Sequence, residues 1–168
     1  SFHMKTLTIV RHAKAEQPEP PQSDLDRKLT PRGKRNAAEM ASYLHTRGFK
    51  PGLIISSPAK RALQTASIFS DEFSFDKQKI VKENFLYSRY DVPEIREMLN
   101  LDAKSTDSVF LFGHNPALSW LAATLAPGFG QGLPTAGVVI IEFNTNDWNE
   151  IDATNGKVVL YKYPADLI

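Results

Sequence analysis

One pattern restricts this chain more than any other: an apolar run, a short polar turn, then a proline at the head of a helical stretch. It occurs at 53–58 (LIISSP), where Ser57-Pro58 opens a pattern running through Ala62, Leu63, Ala66, Ile68 and Phe69. It recurs at 109–116 (VFLFGHNP), where Asn115-Pro116 leads into Leu118, Leu121, Ala122 and Leu125 before Pro127. A third cap of the same type, Thr30-Pro31, precedes Ala37, Met40, Ala41 and Leu44, with Gly48 as the stop. Ser, Thr and Asn cap a first turn, and proline is tolerated at its first position. Such a series describes βα units, which bring helix N-termini and their spare N–H groups to one edge of a sheet.

The edge with the most chemical promise is 6–16, TLTIVRHAKAE. Leu7, Ile9 and Val10 read as a buried strand that stops at Arg11-His12. Ligands and chemistry in open α/β sheets gather at such strand ends. A guanidinium presents a rigid fork of donors to an anion, and the next residue here is a potential nucleophile. The plainer reading is a strand end turning into solvent. Residues 17–26 (QPEPPQSDLD) are too rich in proline for a regular helix and read as a loop over that edge. Farther on, 79–86 reads as a strand leading into Tyr87-Ser88-Arg89-Tyr90, and 93–99 as a short helix. The stretches 138–143 and 158–163 read as strands of an antiparallel extension, with a turn at Asn155-Gly156. The expected architecture is α/β, a three-layer sandwich with a mostly parallel mixed central sheet flanked by helices.

With 168 residues the chain suits one domain, expected over 4–168, and Ser1-Phe2-His3 before Met4 looks like a vector remnant. Its 20 basic and 19 acidic side chains nearly cancel, so no nucleic-acid or membrane partner is expected. It has no cysteine, which excludes disulfides and thiolate chemistry and fits a cytoplasmic protein. No apolar run reaches the roughly 18 residues needed to span a bilayer.

These elements put Arg11-His12, Arg61 and His114 at one sheet edge. Two guanidiniums, two imidazoles and helix N-termini together describe a phosphate site. No carboxylate motif suited to a metal stands beside them, so neither metal nor cofactor is expected. The wording IVRHAKA, LTPRG, SSPAKRALQTA and GHNP resembles the histidine phosphatase superfamily (phosphoglycerate mutase-like). Within it, the chain is most similar to the small bacterial phosphohistidine phosphatases of the SixA type. The resemblance implies His12 as the nucleophile that accepts the phosphoryl group, Arg11 and Arg61 as phosphate clamps, and His114 as the second histidine binding the transferring group. It implies a metal-independent phosphatase with a phosphohistidine intermediate. The substrate would be a phosphorylated compound, with a histidine-phosphotransfer protein the leading candidate.

The sequence departs from the family pattern at Ala13, where glycine is usual, and at Lys14 and Pro18, which weakens a mutase reading. Alternatives are a small-molecule phosphomonoesterase, a phosphoglycerate-mutase-like transferase and a non-catalytic phospho-ligand binding module. General-acid candidates are Glu83, which falls about where larger relatives carry a glutamate, and Asp24 and Asp26 on the loop; a solvated carboxylate is the plainer reading of each. Lys14, Lys60 and Arg32 could form a basic rim. His45 suits a helix C-terminus, Trp120 and Trp148 suit packing, and Ser56 and Ser57 suit capping.

Overall fold

The computed structural model describes residues 4–167; the presumed remnant at 1–3 and residue 168 lie outside the described residues. The strands are β1 (Lys5–Arg11), β2 (Leu53–Ser56), β3 (Val81–Lys82), β4 (Ser108–Gly113), β5 (Val138–Phe143) and β6 (Gly156–Lys162). The helices are α1 (Pro31–Thr46), α2 (Lys60–Phe73), α3 (Val92–Asp102) and α4 (Ala117–Leu125). The strands form one sheet in the order β3-β2-β4-β1-β5-β6. The pairs β1·β4, β4·β2 and β2·β3 are parallel, and β5 runs antiparallel to both β1 and β6. The mostly parallel mixed sheet and its antiparallel extension are as expected from the sequence.

The three layers follow from strand alternation, since successive side chains point to opposite faces. Leu7 and Ile9 of β1, with Val109 and Leu111 of β4, pack on one face against Ile95 and Leu99 of α3 and Leu118 and Leu121 of α4. Val10, Phe110 and Phe112 face the other way, against Met40 and Leu44 of α1 and Ala66 and Phe69 of α2. All these side chains are fully buried. Each contributes about 1.5–3 kcal/mol if it is Val, Leu, Ile, Phe or Met. Among the described residues no helix is long and apolar enough to cross a membrane.

Two local expectations need correction. The strand expected over 79–86 shrinks to Val81–Lys82, bounded by single 3₁₀ turns at Lys77–Lys79 and Asn84–Tyr87. β3 is an edge strand, and β2 offers it only Ile55 and Ser56 as partners. The helix expected to be capped by Ser57 begins at Lys60, after Ala59. Ser57, just past β2, is still tied to β4, its N–H donating to Phe112 O at 3.0 Å, so the chain needs two more residues to turn. By contrast, Thr30 caps α1 as expected, its Oγ1 accepting from Gly33 N, and Gly48 follows the helix with φ +87°.

Candidate active site

Strand register builds the centre of the site. Arg11 is paired with Gly113, and His12 N–H donates to Gly113 O at 3.0 Å, so the residues that follow β1 and β4 leave the sheet side by side. The His12 and His114 rings lie 5.3 Å apart, centroid to centroid. Arg61 arrives from the second position of α2. That helix is held on the sheet by Phe69, which meets the Phe112 ring edge-on at 5.0 Å. Thr65 of the same helix accepts Ala13 N–H at 3.0 Å and donates to Arg61 O at 2.8 Å, tying the turn after His12 to the helix that carries Arg61. Ala13 does not have positive φ, so a side chain is accommodated there without backbone strain.

Each imidazole is fixed in one tautomer. His12 Nδ1 lies 2.8 Å from Ala13 O; a carbonyl can only accept, so Nδ1 carries the proton and Nε2 keeps its lone pair. Burial drives the His12 pKa down to about 4 against the pull of the Ala13 carbonyl, and the guanidiniums of Arg61, Arg11 and Arg27 push it the same way. It is therefore neutral at pH 7. His114 Nε2 sits 2.7 Å from Ser57 Oγ, which also accepts Ala59 N–H at 3.2 Å. Were Nε2 protonated, that oxygen would accept twice and its own proton would have no acceptor. Ser57 therefore donates to Nε2, and the His114 proton sits on Nδ1. Burial, then Arg61 and His12, lower the His114 pKa to about 3.

Among the described residues, six buried side-chain polar atoms have no hydrogen-bond partner, and three of them are here: Arg11 Nε, Arg61 Nε and His114 Nδ1. All three are donors beside one neutral nucleophile. Burying unpaired donors costs about 1–3 kcal/mol each unless a ligand takes them up, so the arrangement suits an oxyanion. Other guanidinium groups are already engaged: Arg11 Nη1 donates to Leu133 O, Arg61 Nη1 to Asp24 O and Arg61 Nη2 to Asp24 Oδ2, at 3.0, 2.7 and 3.0 Å.

The three acid candidates separate in space. Asp24 lies at the site, bonded to Arg61, to Arg27 Nε at 2.9 Å and to the Tyr87 hydroxyl. The Tyr87 hydrogen bond, followed by Arg61 and Arg27, lowers its pKa to about 2, so it is ionised and has no proton to give at neutral pH. Glu83 carries a proton up to about pH 7, but because its carboxyl is paired with Asp102 at the end of α3 and is partly buried. Asp26 accepts from Ser23 Oγ at 2.8 Å in the exposed turn. Glu83 and Asp26 are thus each engaged by a partner other than the imidazoles.

Of the remaining sequence candidates, Lys14, Lys60 and Arg32 are exposed, and Lys14 O accepts Thr30 N–H beside the start of α1. His45 pairs with Glu72 at 2.7 Å, away from the site. Trp148 is buried, with Nε1 donating to Ala103 O and Thr106 O. Trp120 does not pack as expected; it is 47% exposed and lies beside His114. Sequence reasoning missed Tyr87 as a site residue and Ser57 as the partner of His114. Tyr87 packs edge-on against His114, with centroids 5.6 Å apart and planes at 87°.

The sequence profile of the histidine phosphatase superfamily (branch 1) matches residues 7–86, the span that holds Arg11, His12 and Arg61. Solved structures of SixA proteins match the fold over nearly the whole chain. The structure of the protein histidine phosphatase SixA complexed with tungstate aligns with TM-score 0.82 at 24% identity, covering 97% of this chain and 99% of that one. The chain is thus similar to the histidine phosphatase superfamily in sequence over its N-terminal half and to SixA structures in fold over nearly its whole length. A protein named as a SixA phosphohistidine phosphatase, from Agrobacterium tumefaciens, is 28% identical with TM-score 0.75, covering 95% and 98%. A mycobacterial glucosyl-3-phosphoglycerate phosphatase shares the fold at TM-score 0.70 and 16% identity, covering 96% and 100%. An uncharacterized chloroplastic protein of Arabidopsis thaliana is 25% identical over 159 residues, 90% of this chain and 72% of that protein.

Proposed function

We propose that this chain is a phosphatase that hydrolyses phosphohistidine on a protein through a phosphorylated His12, with residues 4–168 acting as one cytoplasmic catalytic domain. The observation that carries the reading is a neutral His12 in one site with three orphaned buried nitrogens, on Arg11, Arg61 and His114. In the first step the His12 Nε2 lone pair forms a bond to phosphorus, and the bond from phosphorus to the substrate nitrogen breaks, the substrate ring, protonated at its other nitrogen, leaving as neutral imidazole. Arg11, Arg61 and the His114 Nδ1–H take up the equatorial oxygens. In the second step water attacks the phosphorylated His12, the P–N bond breaks, and phosphate leaves. Two guanidiniums supply the positive charge, so no metal is assigned a role.

The substrate follows from the acid. Expelling an alkoxide needs a placed proton donor, worth roughly 10²- to 10⁴-fold. Asp24, the carboxyl at the site, is ionised at neutral pH. A phosphohistidine ring protonated at its other nitrogen leaves as neutral imidazole, whose conjugate acid has a reference pKa near 6.5, and so depends far less on a donor placed at the breaking bond. A sugar or alkyl phosphate is therefore the poorer substrate.

The test is to trap the enzyme during turnover. His12→Ala should fold and lose turnover, and wild-type protein should carry acid-labile, alkali-stable phosphate on His12, with activity unaffected by chelators. A phosphohistidine protein should exceed sugar phosphates, phosphoglycerates and nucleotides in kcat/KM. Phosphate recovered on serine or aspartate, or a clear preference for one small metabolite, would overturn the reading.

A further inference from the structure

A groove of about 460 Å³ opens directly from His114 and is walled by Tyr87, Arg89, Pro116 and Trp120 among others. It is within the size range of sites that enclose a small ligand. Three features define what fits it. The first is Trp120. In α4, Leu118, Leu121, Ala122 and Leu125 form the fully buried stripe, and Trp120 stands off that stripe, 47% exposed. It is the one aromatic among the exposed large hydrophobics of the described residues. Its indole serves no core, and an apolar ring beside a reaction centre gains by being covered.

The second feature is how the polar groups of the wall are used: the buried Tyr90 hydroxyl has no partner among the described residues and Ser88 is exposed, whereas two others are engaged. Asn115 is in the wall, yet its Nδ2 donates to Leu133 O at 2.7 Å and its Oδ1 accepts from Ser119 Oγ at 2.7 Å and Ser119 N at 3.2 Å. The Tyr87 hydroxyl is likewise taken by Asp24. The third is charge: no carboxylate lines the groove, and Arg89 is exposed at it.

Because the groove is continuous with the phosphoryl seat at His114, its occupant is whatever the phosphoryl group is attached to. We propose that the groove is the leaving-group subsite, taking the flat ring of a phosphohistidine against Trp120 and an acidic neighbour of that residue on Arg89. This rests on the phosphohistidine reading above and adds to it a sequence preference in the substrate polypeptide.

Three substrates sharing a P–N bond separate the contributions: phosphoramidate, which has no ring, and two phosphohistidine peptides differing only in an adjacent Asp or Asn. Trp120→Ala should lower the ratio of kcat/KM for the peptides to that for phosphoramidate by about 3- to 10-fold, the size of an aromatic contact. Trp120→Phe should restore most of it. Arg89→Gln should remove a preference of about two- to fivefold for the Asp peptide, as expected of an exposed ion pair. A ratio unchanged in Trp120→Ala would overturn the subsite, and an Asp preference surviving Arg89→Gln would overturn its charge pairing. If wild-type protein turns over none of the three, the phosphohistidine reading fails instead. The groove is then judged by intrinsic fluorescence: the dephosphorylated Asp peptide with inorganic phosphate should quench wild-type emission and not that of Trp120→Phe, and equal responses would overturn it.

Discussion

Removing the Ser57 hydroxyl should damage catalysis through His114 without touching the substrate. In Ser57→Ala the buried Nε2 of His114 loses its donor, and the proton is free to move from Nδ1 to Nε2. The nitrogen facing the phosphoryl oxygens would then present a lone pair to an anion in place of an N–H. Leaving a buried polar atom unpaired costs about 1–3 kcal/mol, which corresponds to about 5- to 150-fold if it falls on the transition state. The same change strips Ala59 N–H of its acceptor, so some stability is lost too, and rates should be read well below the melting transition. The assay is kcat/KM on a phosphohistidine peptide, with inhibition by inorganic phosphate and the ¹⁵N shifts of His114 measured alongside. Phosphate inhibition should weaken with kcat/KM, and the spectrum should show Nε2 protonated. Ser57→Thr, which keeps the hydroxyl, should retain the wild-type tautomer. Turnover within twofold of wild type in Ser57→Ala, or an unchanged His114 tautomer, would refute the reasoning.

Three other outcomes follow from the same geometry. Both histidines are neutral when folded, with pKa values of about 4 and 3 against 6.5 unfolded, so the unfolded chain binds protons first as pH falls. Stability should be intact above pH 6.5 and should decline toward pH 4, by about 2 kcal/mol per histidine at pH 5, as denaturant melts at several pH values would show. Asp24→Asn should tighten inhibition by inorganic phosphate about threefold, by removing a negative charge from Arg61; a loss of kcat beyond roughly 100-fold on alkyl phosphates would instead identify Asp24 as a proton donor. Gly33→Ala should destabilise the protein by about 1–3 kcal/mol and lower activity, because its Cβ would stand 2.2 Å from Lys14 O in the turn after His12, a clash that thermal melts and kcat/KM would both register.

His12, Arg11 and His114 were legible because a strand end is a local signal: an apolar run stops, and the next polar residue is at the sheet edge. Arg61 was legible for a related reason, lying at the start of an amphipathic helix. Ser57 was misread because its partner is 57 residues away, and only the parallel pairing of β2 with β4 brings the two together. A sequence shows a serine before a proline and suggests a cap; it does not show which neighbouring strand is aligned with it. Glu83 illustrates the same gap for direction. Its position after the third strand is right, yet its carboxyl engages Asp102, and no local pattern specifies which way a carboxylate turns. Trp120 was recoverable, since the stripe at 118, 121, 122 and 125 leaves position 120 off the buried face.

The pairing of Arg11 with Gly113 makes the distance between the two imidazoles a property of the backbone ladder. Adjacent strands stand roughly 4.8 Å apart, and the ring separation follows that pitch. What keeps the ladder in register is the interior: Ile9 and Leu111 belong to the layer under α3 and α4, and Val10 and Phe112 to the layer under α1 and α2. A slip of one residue would exchange the two sets between layers and carry His12 to the wrong face. The apolar packing is thus a ruler for the site, and the loops bearing Asp24, Tyr87 and Arg89 can change without altering the span between the two imidazoles.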